Sequence, residues 1–140
     1  KKEIERYRLS SITTYYGRVP KNVSLEKQRE SQILLLLNWE DQRERGVYTT
    51  KIFEYLAAQR PILAIGGSGE DVVKKLLDET KSGVYCKNMD NVKDWLYHFY
   101  LEYKQKGEVS YKGDMEKSDK YSYREIAKKF ADILNQISKE

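Results

Sequence analysis

The sequence contains one cysteine, Cys86, and one histidine, His98, in 140 residues. A single cysteine excludes an internal disulfide and fits a reducing compartment. One histidine with one cysteine excludes the usual His/Cys zinc centre, and it leaves His98 as the only imidazole for a serine–histidine–acid arrangement. Long apolar runs are also missing. The longest aliphatic stretch, Ile33 to Leu37, falls far short of the ~20 residues that span a bilayer. The N-terminal Lys-Lys-Glu-Ile-Glu lacks an apolar centre and does not read as a signal peptide. No segment repeats at a fixed period, and none is of low complexity. These absences predict a cytoplasmic protein without a His/Cys zinc centre.

What remains is a highly charged chain, 34% Asp, Glu, Lys and Arg, with 12 tyrosines. The aromatics and short apolar runs argue for a folded core, and the length suits one domain. The net charge of +4 suits an anionic ligand such as a nucleotide, or weak attraction to an acidic lipid surface. The lysines are interspersed with acids, so the pattern reads as solvated faces and gives no indication of nucleic-acid binding.

Periodicity predicts alternating strands and helices. Ile12–Tyr16 reads as a β-rich strand that stops at Gly17. Ser24 is a candidate cap for a short helix through Glu30. Ile33–Leu37 is apolar without alternation, as expected of a strand covered on both faces. A polar loop, Asn38–Thr50, precedes a helix over Lys51–Gln59. Pro61 then opens a strand at Ile62–Ile65, Ser68 with Asp71 resembles a capping box for a helix over Glu70–Thr80, and Gly83–Cys86 is a fourth strand. A helix over Asn91–Lys104 turns Val92, Trp95, Leu96, Phe99 and Tyr103 inward, and Gly107–Lys120 reads as a loop. Ser122 and Glu125 form an S-x-x-E box ahead of a final helix over 122–138. Strands separated by helices imply an α/β fold: a Rossmann-like parallel sheet flanked by helices, with ligands at the carboxyl ends of the strands.

The segment Gly46–Pro61 carries the most chemistry. It sets a helix N-terminus at the end of the central loop, where the free N–H groups of Tyr48 to Lys51 form an anion cradle. Lys51 in the first turn opposes the helix dipole unless an anion shares the site. Glu54 follows at i+3 on the same face, placed to accept hydrogen bonds from two adjacent ribose hydroxyls. The alternative is an ordinary surface pair between Lys51 and Glu54.

Three stretches carry a family resemblance: Tyr16-Gly17-Arg18-Val19-Pro20, Gln32–Leu37, and Thr50-Lys51-Ile52-Phe53-Glu54-Tyr55-Leu56-Ala57-Ala58-Gln59-Arg60-Pro61-Ile62-Leu63-Ala64. Together they resemble the C-terminal, nucleotide-sugar-binding domain of GT-B type glycosyltransferases, closest to glycosyltransferase family 4 and its relatives. The similarity runs from about Tyr15 to Gly83, and its specificity lies in the third stretch. The resemblance implies that Glu54 holds the ribose of the donor. It also implies that Thr49, Thr50 and Lys51 hold the diphosphate, and that the backbone of Gly17, Arg18 and Val19 meets the base. The implied donor is a UDP- or GDP-sugar and the implied acceptor a glycan or lipid-linked precursor, with no metal or other cofactor and with possible peripheral membrane association of the complete enzyme.

The sequence departs from the family pattern in places. Gly46 stands where the first of two glutamates is usual, Thr50 where a glycine precedes the lysine, and Gln59 where a glycine precedes Arg-Pro. The first two strands of the family's domain, the basic pair between them and the acceptor-binding N-terminal domain have no counterpart. The resemblance thus implies the donor-binding part of a longer enzyme, inactive on its own. A UDP-sugar epimerase of the same fold is the alternative enzyme, and a non-catalytic nucleotide-binding or interaction module is the alternative class. Gly66-Gly67-Ser68-Gly69 lacks the lysine of a Walker A loop and reads as a strand-to-helix turn. Arg43 and Arg45 are candidate phosphate ligands in place of the basic pair. Glu40, Asp41 and Glu44 are not expected to bind metal. His98 reads as structural or surface, and Cys86 as a small buried hydrophobe.

Overall fold

The computed structural model describes residues 2–38, 48–67 and 72–138. The elements run α1 (Lys2–Arg6), a 3-10 turn (Ser10–Ile12), α2 (Lys21–Glu30), β1 (Leu34–Asn38), α3 (Thr50–Ala58), β2 (Ile62–Gly66), α4 (Val72–Thr80), β3 (Gly83–Cys86), α5 (Met89–Lys106), α6 (Met115–Asp119) and α7 (Tyr123–Ile137). The three strands form one parallel sheet in the order β1-β2-β3. The fold is α/β, a parallel sheet flanked by helices, consistent with a Rossmann-like arrangement.

The register assigns each residue to a face. Leu34 and Leu36 pair with Ile62 and Ala64, while Leu35 and Leu37 pair with Leu63 and Ile65. On the first face Leu36, Ile62 and Ala64 pack with Ile52 and Leu56 of α3 and with Val73, Leu76 and Leu77 of α4. On the second face Leu63 and Cys86 pack with Val92 of α5. Side chains of this kind each contribute about 1.5–3 kcal/mol when fully buried, so the double-sided packing of β2 anchors the fold.

The expected strand at Ile12–Tyr16 is absent: Ser10–Ile12 is a 3-10 turn and residues 13–17 form no strand. Ile12 is 79% exposed, so β-propensity there has no partner to pair with and no surface to cover. Ile33–Leu37 also differs from expectation, because β1 is covered on one face only. Leu35 and Leu37 are 53% and 66% exposed on the side where α5 covers β2 and β3. Helix α2 begins at Lys21 behind Pro20, without a side-chain cap. Ser24, expected as its cap, lies inside it and meets Gln28 at 3.5 Å. The expected loop 107–120 contains α6, started by Asp114, whose side chain accepts from Lys117 N at 3.0 Å.

Several other expectations are met. Ser122 accepts from Glu125 N at 3.3 Å and α7 follows as read. Pro61 is buried at the head of β2, and its carbonyl accepts from Leu34 N. Cys86 is fully buried, and that burial pushes its thiol pKa up. The box at Ser68 and Asp71 lies outside the described residues. On α5, Val92 and Phe99 are buried, but Trp95, Leu96 and Tyr103, expected inward, are 37%, 42% and 46% exposed. Among the described residues, no helix is long and apolar enough to cross a membrane.

Candidate functional site

Strands β1 and β2 end at Asn38 and Gly66, and this carboxyl edge is where α3 begins. Two glycines shape the edge. Gly66 and Gly67 have φ of +90° and +85°, and a Cβ on Gly66 would sit 2.5 Å from the Asn38 carbonyl oxygen. Only glycine lets the two strand ends approach this closely.

The N-terminus of α3 is built from Tyr48, Thr49, Thr50 and Lys51. Tyr48 is anchored: its ring lies 5.7 Å from Phe53 and 6.4 Å from Tyr121, both edge-on. Thr49 is the N-cap residue, but its hydroxyl does not cap the helix. Thr49 Oγ1 is buried without a hydrogen-bond partner, as is Asn38 Nδ2 at the end of β1. Buried polar atoms of this kind are rare, and at a helix tip they are groups that a polar ligand can satisfy. Thr50 and Lys51 are exposed in the first turn, in the position where α3's dipole favours an anion.

Glu54 lies one turn further along, with its side chain 22% exposed. It turns toward α2. Lys21 Nζ is 3.2 Å from Glu54 Oε1, and Gln28 Nε2 donates to Glu54 Oε2 at 3.3 Å. The cation that meets Glu54 is therefore Lys21, and the alternative of a Lys51–Glu54 surface pair is not realised. At the far end of the same helices Arg60 Nε donates to the Arg29 carbonyl at 2.6 Å. These contacts hold α2 against α3.

That pairing places the turn before α2. Gly17, at φ +67°, is followed by Arg18, half-buried Val19 and Pro20, and then by Lys21. Tyr16 folds back so that Lys27 Nζ lies 5.9 Å from its ring centre. The Lys21–Glu54 contact ties the start of α2, just after the Gly17–Val19 turn, to the middle of α3. Lys21 and Gln28 were not among the residues expected from the sequence. Their seven-residue spacing on one helix stripe was the available signal.

A cavity of about 230 Å³ runs along the α2–α3 groove, lined by Lys21, Leu25, Gln28, Phe53, Glu54 and Tyr123, among others. Its wall is mostly apolar, and near Glu54 the Oε1 of Gln28 is buried and unpartnered. Tyr121 closes the site from the α6–α7 turn. Its hydroxyl donates to Glu79 at 2.7 Å, and desolvation, reinforced by Glu79, drives its pKa upward. Tyr55, from the next position on α3, donates to the Leu35 carbonyl at 3.3 Å, and burial raises its pKa.

Among the described residues, no group of three or more His, Cys, Asp or Glu side chains converges on a metal position. His98 is exposed on α5, with its ring 5.5 Å from Trp95. Glu40, Asp41, Arg43, Glu44, Arg45 and Gly46 lie outside the described residues. Comparisons with protein-family models, with curated proteins and with solved structures return no match.

Proposed function

We propose that this chain is the donor-binding part of a glycosyltransferase of the GT-B type, gripping a nucleotide-diphosphate sugar at the carboxyl edge of its sheet. The observation that carries this reading is the Lys21–Glu54 contact at 3.2 Å. It joins the start of α2, which directly follows the Gly17–Val19 turn, to Glu54 on α3, and the reading requires these segments to share one ligand.

In this reading the base lies against the backbone of Gly17, Arg18 and Val19. Glu54 exchanges its contacts with Lys21 and Gln28 for the two ribose hydroxyls. The diphosphate rests on the N–H groups at Tyr48 to Lys51, where the helix dipole and the Lys51 ammonium favour negative charge. In the transfer, the bond between the sugar's anomeric carbon and the diphosphate oxygen breaks, and the electron pair leaves with the diphosphate. The anomeric carbon bonds to an acceptor hydroxyl, which loses its proton. This half of the site acts electrostatically, by stabilising the leaving diphosphate as its charge grows. The acceptor, a glycan or a lipid-linked precursor, is held by a further part of the enzyme.

The reading is tested by calorimetric titration with UDP, GDP and ADP, followed by uridine or guanosine. One diphosphate binds in preference to the others. Lys51→Ala weakens that diphosphate by about 1–2 kcal/mol and leaves the nucleoside almost unchanged. Absence of binding by all three diphosphates, or equal weakening of nucleoside and diphosphate, overturns it.

A further inference from the structure

Helices α2 and α3 begin with the same electrostatic misfit. Helix α2 starts at Lys21 behind Pro20, and α3 starts at Thr50 behind Thr49. Neither N-cap side chain bonds its helix, and neither first turn contains an acid. Each first turn instead carries an exposed lysine, Lys21 in α2 and Lys51 in α3. A cation at a helix start opposes the dipole and the free N–H groups there, unless an anion shares the position. In the free protein only one of the two lysines is offset. Among the described residues, Lys21 meets a single acid, Glu54, at 3.2 Å, and Lys51 meets none.

Lys21 is also the more mobile member of its pair. Its side chain is 73% exposed, against 22% for Glu54, and a lysine stem lets the ammonium pivot among partners. Glu54 stands three residues beyond Lys51, about 4.5 Å along the helix axis. The Lys21 ammonium is therefore parked on a carboxylate about one turn past the start of α3. Gln28, the other partner of Glu54, also meets Ser24 Oγ at 3.5 Å, so it keeps a contact when Glu54 turns away. Lys21 has no such second partner among the described residues.

We infer that Lys21 is a phosphate ligand held in reserve: Glu54 keeps its ammonium in the free protein, and when ribose hydroxyls take Glu54 the ammonium passes to the diphosphate. The inference rests on the proposed nucleotide-diphosphate reading and adds to it a residue and a coupling. Ribose displaces Lys21, and the diphosphate supplies the anion that the displaced cation lacks. A nucleoside breaks the Lys21–Glu54 pair and offers Lys21 nothing in return. A nucleoside diphosphate breaks the same pair and replaces it with a stronger one. Removing Lys21 therefore acts with opposite sign on the two ligands. A lysine that only held α2 against α3 weakens both on removal, and one that only occupied Glu54 strengthens both by the same factor.

The test is calorimetric titration of the wild type, Lys21→Ala and Lys21→Arg with UDP, GDP and ADP, and with the nucleoside of whichever diphosphate binds. Lys21→Ala weakens that diphosphate about 5- to 20-fold, the loss of one partly exposed charge-assisted contact. It tightens the nucleoside by at most about twofold, because an exposed ion pair contributes little. Lys21→Arg retains the wild-type ratio of diphosphate to nucleoside affinity to within about threefold. Position 21 is exposed, so circular dichroism and melting close to wild type confirm that the variants fold. An unchanged ratio in Lys21→Ala, whether both ligands weaken, tighten or stay the same, overturns the inference and leaves the donor-binding reading standing. A wild type that binds none of the three diphosphates overturns both.

Discussion

Replacing Glu54 by glutamine separates its structural contacts from the ligand-binding role that the proposed function gives it. In the free protein its carboxylate meets Lys21 at 3.2 Å and Gln28 at 3.3 Å. The Lys21 side chain is 73% exposed, so solvent screens that attraction and its loss costs only a few tenths of a kcal/mol. The glutamine oxygen still accepts from Gln28, so one neutral hydrogen bond survives. Stability therefore falls by less than about 1 kcal/mol, a shift in melting temperature of a few degrees for a domain of this size. Ligand binding depends on the same group differently. A carboxylate accepting from two ribose hydroxyls makes two charge-assisted bonds, and the neutral amide recovers at most one of them. The expected loss is about 1.5–3 kcal/mol, or roughly 10- to 150-fold in the dissociation constant. Glu54→Ala sits at the upper end of that range. Calorimetric titration with nucleoside and with nucleoside diphosphate, beside thermal melts of both variants, measures the two effects. On the proposed ribose role, the nucleoside weakens as much as the diphosphate. Unchanged affinity in both variants removes Glu54 from the site. Loss of the diphosphate alone shows that Glu54 acts on phosphate and refutes the ribose role.

Two further predictions concern the frame around the site. Gln59 closes α3 in the left-handed conformation, φ 54° and ψ 47°, which costs a residue with a Cβ about 1–2 kcal/mol. Gln59→Gly removes that strain, and after the entropy glycine adds to the unfolded chain it stabilises by about 0.5–1 kcal/mol, read as a rise in denaturant midpoint at constant slope. Glu102 is held at a pKa of about 2 by hydrogen bonds from Ser110 and Lys106. A depressed carboxyl pKa contributes stability above the unfolded value of about 4.3, and that contribution is lost as pH falls toward 2. Melting temperatures of the wild type and Glu102→Gln therefore differ most above pH 5 and converge near pH 2. Parallel curves contradict the assignment.

The legible parts of the fold were those in which local chemistry and tertiary packing agree. The Ser122–Glu125 box is satisfied within its own turn, so the sequence is sufficient to place the start of α7. The spacing of Ile52 and Leu56 on α3 matches the face that the core covers, while Ala57, read onto the same face, is exposed and Ala58 is buried instead. Gln59 occupies the position where the family resemblance calls for glycine, and the backbone there takes the conformation glycine prefers. The misreadings arise where a segment's state is decided by a distant partner. Ile12–Tyr16 has the composition of a strand, but β1 does not pair with it. The leucines of β1 look covered on both faces because composition cannot show that α5 stops short of them. Helix α6 is one turn of helix set by the Asp114 cap, too brief for periodicity to register. In the site, the spacing of Lys51 and Glu54 allowed a pair, and only the docking of α2 on α3 reveals Lys21 as the actual partner.

The most direct measurement is a titration followed by backbone amide NMR, with the preferred nucleoside diphosphate added to isotope-labelled protein. The account predicts that amides of Gly17, Arg18 and Val19 shift together with those of Tyr48 to Lys51 and Glu54, along one saturation curve, while the amides of α5 stay still. Shifts confined to one of the two segments, or centred on α5, contradict it.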